Sequence, residues 1–419
     1  LMEPAIRHAR RGFRVTPYLS GCIAECAADL AADPEIARHL LPAGRPLQAG
    51  ERLACGDYAE TLGLIARQGP AAVLGGSLGR GVADALAARG GLLALEALSA
   101  YRLIDREPVQ GSYRGHQVFG PPPPSAGGVH VLQMLNILEG FDLRAAGFGS
   151  PEAMHLLAEV LKIAFADRAA ATADPDFVAV PVQRLVSREY AAERRAAIDP
   201  GRAQAWAAGV APPESPNTTH VSVADRDGNI VASTQTINSL FGARFMIPGT
   251  GIIPNNYMYL FDPRPGRALS IAPGKRVTTS MAPTIVLRDG RPRYVLGLPG
   301  GLRIFGSVMQ ALVNLIDHRM TLQQAVEAPR LWTQGQELEV EADFPAAARD
   351  ALRALGHRLA VVPHVAGGMN GIELHDDGTM TGAACWRADG TAVGLGGGLA
   401  RAGTRFWPEV AVGAAAEPD

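Results

Sequence analysis

Along the first half of the chain, apolar residues recur mainly at helical spacing. The stretch GSPEAMHLLAEVLKIAFADRAA (149–170) has Ser150 as an N-cap, Pro151 at the first helical position and apolar residues on a 3.6-residue period. SAGGVHVLQMLNILEGFD (125–142) predicts a second helix ending at Gly140, led in by the rigid, proline-rich FGPPPPSAGG. The second half changes period. HVSVADRDGNIVASTQTI, APTIVLRDGRPRYVLGL and GIELHDDGTMTGAA each alternate around an Asp-Gly pair, at 227–228, 289–290 and 377–378. Asp-Gly between alternating runs is the strongest short hairpin signal. These patterns predict antiparallel strands with helices such as Ile304 to Ile316 packed outside, one domain wound from both halves.

Composition limits what such a domain does. The chain has 419 residues, 47% of them hydrophobic and 19% charged, with a net charge of −2. This is the composition of a soluble globular protein. No basic block favours nucleic acid or an anionic membrane, and no apolar run is long enough to span a bilayer. Cys22 and Cys26 share a helix face without companion ligands, so buried free thiols are expected rather than zinc. The ten histidines include no HExxH, and the pair His155 and Glu159 reads as surface decoration. No metal and no cofactor is expected.

Three stretches offer chemistry. Gly75-Gly76-Ser77-Leu78-Gly79 matches the GxSxG nucleophile elbow, but the strand before it is weak and a glycine-capped helix start explains it as well. GLPGGLRIFG (297–306) opens a helix without the Lys-Ser/Thr of a P-loop; the amides of Gly300 and Gly301 suit an oxyanion. The third is SPNTTHVSVAD (215–225), which follows DPGRAQAWAAGVAPPESPN (199–217), an exposed linker by composition. Thr218 and Thr219 can simply start a strand. Alternatively the chain is cut after Asn217, and Thr218 becomes a nucleophile whose own α-amino group is the base.

NTTHVSVADRDGN closely resembles the γ-glutamyltranspeptidase family, whose precursors cut themselves before the first Thr of a T-T-H motif. YRGHQVFGPPPPSAGGVHVLQMLNILEGFD, FADR…DPDFV, KRVTTSMAPTIV and GLPGGLRI are similar to further signatures of that family, in the same order and over essentially the whole chain. The resemblance implies an α+β fold, the N-terminal-nucleophile αββα sandwich. It divides the chain into a mostly helical large portion, 1–217, and a small catalytic portion, 218–419, which remain associated as one structural domain after the cut. It implies Thr218 as nucleophile, Thr236 as the threonine supporting the free amine, and Gly300 and Gly301 as the oxyanion hole. Asn238 would line the acyl pocket, with Thr279 and Ser280 in place of the family's paired serines. Ser77 is thereby reduced to a helix start.

Three departures are informative. Where a transpeptidase has Gln and Asp to hold the substrate's α-ammonium, NNYMYLF presents Tyr257 and Leu260. This resembles the family's cephalosporin acylases, which remove glutaryl-like side chains. Cys385-Trp386-Arg387 stands where transpeptidases tend to have Asp-Pro-Arg, and points the same way. The family's first strand and carboxylate-binding arginine lie upstream of what Leu1 matches, so a truncated precursor is expected. The resemblance fits a periplasmic or secreted setting that the sequence itself leaves open. The expectation is therefore a self-processing amide hydrolase leaning to acylase, with an ordinary γ-glutamyltransferase, a Ser77 hydrolase or an inactive remnant as alternatives.

Overall fold

Each of the three Asp-Gly pairs closes a hairpin. The computed structural model describes residues 1–206 and 218–395. The described residues divide into two compact units, 1–106 with 237–256, and those of 107–236 with 257–395.

The first unit is helical, with one short antiparallel pair, β1 (Phe13–Arg14) and β2 (Arg52–Leu53). Ile23, Leu30 and Ile36 are fully buried with Val15, Leu47 and Met246. Asp33 caps the helix Pro34–Leu40 by accepting from Ile36 N at 2.9 Å, and also accepts from Met246 N at 3.3 Å. One carboxylate thus satisfies a helix end and the returning 237–256 segment together.

The second unit carries the sheets. β3 (Val109–Tyr113), β4 (His116–Gly120), β7 (Thr284–Arg288), β8 (Arg291–Gly297), β12 (Asn370–Leu374) and β13 (Met380–Ala384) form an antiparallel sheet in the order β13-β12-β8-β7-β4-β3. The β7–β8 turn has Asp289 and Gly290 both left-handed, at φ 51° and 74°, as a type I′ hairpin requires. On one face lie the helices Gly127–Leu138 and Ile304–Ile316, with Pro151–Ala171 behind them. Ser150 Oγ caps the last of these, accepting from Ala153 N at 3.1 Å. Phe165 and Phe305 meet at 4.7 Å between ring centroids, deep in this helical layer. Across the other face lies a two-stranded sheet, β5 (Thr219–Ala224) and β6 (Ile230–Gln235), packed over β8 and β12. A separate three-stranded sheet joins β9 (Leu331–Trp332), β10 (Leu338–Glu341) and β11 (Leu359–Val362), with β10 and β11 parallel.

The six-stranded sheet is woven from both sides of residue 217. His116 to Phe119 of β4 pair with Ile285 to Arg288 of β7. A break in the chain before Thr218 would leave this ladder intact.

His130, inside the Gly127–Leu138 helix, is fully buried between Gln133 Oε1 at 2.6 Å and Thr172 Oγ1 at 2.9 Å. Burial holds its pKa down at about 4, with Arg168 adding to the effect and Gln133 opposing it. Its unfolded value is higher, so the unfolded chain takes up the proton first as pH falls. The stability due to the neutral ring is complete above about pH 6.5 and lost on the way down to about pH 4, on the order of 3 kcal/mol. Urea unfolding across that window should show the decline, and His130→Gln should make it shallower; an unchanged slope would remove His130 as a cause.

Candidate active site

The edge of the sandwich where β5 begins and β8 ends collects most of the residues expected to act. His220, the second residue of β5, points inward and lies against Gly297, the last residue of β8, where a Cβ would overlap the imidazole. Asn370 pairs with Gly297 across the large sheet and donates from Nδ2 to His220 O at 2.9 Å. These three residues fix β5, β8 and β12 at one level. Thr218 lies two residues before His220 and Gly300 three residues after Gly297, so both leave the sheets at this edge. The β5–β6 ladder ends at Thr219 paired with Gln235, so Thr218 and Thr236 are the next residue of each strand beyond it. Asn217 lies outside the described residues.

His220 itself is held rather than poised. Its Nδ1 and Nε2 meet Thr234 Oγ1 at 2.8 Å and Ser222 Oγ at 3.1 Å. Burial lowers its pKa to about 4, so the ring is neutral near pH 7. The hairpin therefore turns a polar face inward, while Val221, Val223 and Val231 are exposed on the other.

Gly300 and Gly301 need the backbone freedom of glycine, with φ of 152° and 57°. Gly301–Arg303 is a single 3₁₀ turn leading directly into the Ile304–Ile316 helix. Among the described residues neither glycine amide donates to a protein acceptor, which leaves both donors for a developing negative charge. Gly300 also permits close approach, since a Cβ there would stand 2.5 Å from Ala366 Cβ.

Thr279 and Ser280 are separated in role. Thr279 is tied to the proline-rich lead: its carbonyl accepts from Ala126 N at 2.8 Å and its hydroxyl reaches Ser125 Oγ at 3.2 Å. Ser280 Oγ is buried without a partner among the described residues, and so is Thr278 Oγ1, which the sequence did not single out. A buried hydroxyl lacking a partner is costly unless a ligand satisfies it. Leu260 is buried at the end of the 3₁₀ turn Tyr257–Leu260, with Tyr257 half-buried. The next carboxylate along the chain, Asp262, is engaged by Arg264 at 2.9 Å and held near pKa 2 by that bond. Asn238 belongs to the first unit, where it is buried at φ 76° and donates to Asn256 Oδ1 at 3.0 Å.

The model of the family described as Gamma-glutamyltranspeptidase matches residues 1–395. The chain belongs to this γ-glutamyltranspeptidase family. It is 62% identical over 406 residues to the acylase ACY 1 proenzyme of Pseudomonas sp. (strain SE83), covering 97% of this chain and 73% of that one. With the glutathione hydrolase proenzyme of Escherichia coli (strain K12) it shares 38% identity, over 91% of this chain and 69% of that one. The crystal structure of cephalosporin acylase from Bacillus halodurans superposes with a TM-score of 0.86 at 29% identity, covering 94% of this chain and 74% of that one. The fold is thus the N-terminal-nucleophile sandwich, and the chain is an enzyme of this hydrolase and acylase family.

Outside the family motifs one expectation is corrected, and the helix start expected at Ser77 is found. His155 and Glu159 are not surface decoration; both are buried, and with His357 their ligand atoms fall within 4.8 Å of one another. The carboxylate is already committed, to Lys162 Nζ at 2.5 Å, Trp206 Nε1 at 2.7 Å and Gln204 N at 3.2 Å. The group anchors residues 199–206, so the described part of the expected linker is fastened down. Ser77 opens the helix Ser77–Ala87; before it come the 3₁₀ helix Gly69–Ala72 and turns at 73–76 and no strand, so the nucleophile elbow lacks its support.

In this family member the contact between His220 and Gly297 makes a sharp test. Gly297→Ala should destabilise the protein by roughly 1–3 kcal/mol or more through overpacking. His220→Ala in the same chain should recover part of that loss. Equal thermal stability of the single and double variants would dismiss the steric explanation.

Proposed function

We propose that the protein cuts its own chain between Asn217 and Thr218, and then uses Thr218 to hydrolyse glutaryl-type side-chain amides. The observation that carries the reading is that the β5–β6 ladder ends with Thr219 and Gln235, leaving Thr218 and Thr236 next along the two strands, at the edge from which Gly300 and Gly301 also emerge. In the first reaction Thr218 Oγ adds to the Asn217 carbonyl carbon, its proton passing to the departing amide nitrogen. The resulting ester is opened by water, giving an Asn217 carboxylate and a free Thr218 amine. In turnover that amine accepts the hydroxyl proton as Oγ attacks the substrate amide, and returns it to the leaving amine. The oxyanion of each tetrahedral intermediate is stabilised by the Gly300 and Gly301 amides. Water then releases the acyl group from Thr218.

Proenzyme relatives support the processing step. The β4–β7 ladder supports two fragments that remain together as one enzyme. Thr236 would hold the new amine, and Thr279 and Ser280 would receive the acyl chain. Intact mass after expression tests the first step: wild type should give two pieces, one ending at Asn217 and one beginning at Thr218. Thr218→Ala should remain a single chain, and normal cutting of that variant would exclude Thr218 as nucleophile.

The acyl preference rests on Leu260 and Tyr257. A γ-glutamyl donor differs from a glutaryl donor by one α-ammonium. Against buried Leu260, with Asp262 engaged by Arg264, that ammonium loses water and gains no counter-charge. Glutaryl amides should therefore show the higher kcat/KM when both donors carry the same chromogenic leaving group. Leu260→Asp with Tyr257→Gln should shift preference back towards γ-glutamyl donors. A wild-type preference for the γ-glutamyl compound would instead make the protein an ordinary γ-glutamyl hydrolase or transferase.

A further inference from the structure

Behind Gly300, a buried group of charged side chains holds a single loop. Residues 365–369 lie directly against the glycine: Gly367 N donates to Pro299 O at 2.9 Å, and Ala366, at φ 61°, sets its methyl where a Gly300 Cβ would go. Three side chains fix the loop backbone. Glu341 Oε1 accepts from Val365 N at 2.6 Å. Arg330 Nη1 donates to Val365 O at 3.3 Å and Gly367 O at 3.0 Å. Cys385 Sγ accepts from Met369 N at 3.2 Å, while Cys385 N donates back to Met369 O at 2.9 Å.

Of the groups in contact with the Arg330 guanidinium among the described residues, only the sulfur can carry a negative charge. Arg387 and Glu341 are completely buried and form a two-point ion pair. Glu341 also accepts from Arg330 N at 3.1 Å, so its oxygens are fully used. The Arg330 guanidinium, buried as well, touches no carboxylate among the described residues; its partners are the carbonyls of Val326, Val365 and Gly367 and Cys385 Sγ at 3.7 Å. Glu327, another buried acid nearby, meets Arg387 through its backbone carbonyl. A buried cation without an anion is strongly unfavourable. Both contacts of Cys385 Sγ among the described residues are donors, Met369 N and Arg330 Nη2, so the sulfur accepts twice and meets no acceptor there for a proton of its own.

We propose that Cys385 is a buried thiolate that neutralises Arg330 and positions the 365–369 loop against Gly300, and so the oxyanion donors. It is a positioning residue and touches no substrate; its kinetic consequence rests on the Gly300–Gly301 reading above, its charge state does not. Burial by itself would raise the thiol, but Arg330 and Arg387 outweigh that and lower it below its usual value. Burial raises Cys26 and Cys55, so neither contributes a thiolate at neutral pH.

Cys385→Asp, Cys385→Ser and Cys385→Ala in the full protein test this. The ultraviolet difference between wild type and Cys385→Asp should contain a thiolate band at pH 7. The uncharged Ser and Ala variants should lose about tenfold or more in kcat with KM little changed, as expected for a disturbed transition-state donor. The Asp variant should keep most of the wild-type kcat. A missing thiolate band overturns the charge assignment even if the substrate has been misidentified. An Asp variant as slow as Ala, or an Ala variant as fast as wild type, overturns the positioning role.

Discussion

The arrangement at the sheet edge depends on a close approach between two backbones. β5 reaches β8 only because Gly297 has no side chain, and the space is filled by the ring of His220. That ring is cut off from water and must be neutral, and both nitrogens must find partners, which Ser222 and Thr234 provide. One glycine, one histidine and two hydroxyls thereby fix the height and register of the small sheet over the large one. Because side chains alternate with a period of two, a slip of one residue would turn His220 outward and a valine inward. It would also move Thr218 away from Thr236. The register that seats a buried imidazole is the same register that ends with Thr219 against Gln235, next to the two threonines of the proposed mechanism.

Much of the fold was legible because its signals are local. Ser150-Pro151, Asp289-Gly290 and the Ile304–Ile316 period each specify their element through neighbours a few residues away, and the structure follows them. What was not legible depends on distant partners. Alternation in HVSVAD marks a strand but not its buried face, and here the polar residues face inward because Gly297 and Asn370 wait there. Lys162, one turn on, pairs with Glu159, but such a pair reads as a surface one; the other partners that bury the group are distant, and His357 lies 202 residues away and meets His155 Nδ1 at 2.8 Å. Thr279 and Ser280 read as a pair, yet the extended backbone sends one hydroxyl to Ser125 and leaves its neighbours Thr278 and Ser280 turned elsewhere.

The two sides of Gly300 use opposite electrostatic strategies. Behind it, Glu341, Arg330, Arg387 and Cys385 form a dense, buried ionic lattice whose hydrogen bonds end on the backbone of one loop. In front, on the proposed reading, the oxyanion donors are the Gly300 and Gly301 amides, which carry only partial charge. Such a division suits transient chemistry. A full positive charge facing the substrate would bind an acyl carboxylate or a product anion as readily as a tetrahedral oxyanion, whereas two amides fixed in direction favour the geometry in which charge develops. The cost of ordering them is met in folding, by ion pairs that never touch the substrate.

On the proposed reading, charge and not size decides which acyl group is accepted. One methylene gained or lost in an apolar pocket changes binding by about 1–3 kcal/mol. Leaving an ammonium unpaired in a desolvated site costs about 2–5 kcal/mol, by analogy with truncated buried pairs, or roughly 30-fold to several thousand-fold in kcat/KM. A glutaryl chain keeps the scissile amide and the distal carboxylate of a γ-glutamyl chain and omits only that ammonium. On that reading Leu260 discriminates between the two by the counter-charge it does not supply. Asp262 lies close in sequence but its carboxylate is spoken for by Arg264, and drawing it away would expose an arginine in its place. Changing specificity here therefore calls for a new carboxylate rather than a small shift of an existing one.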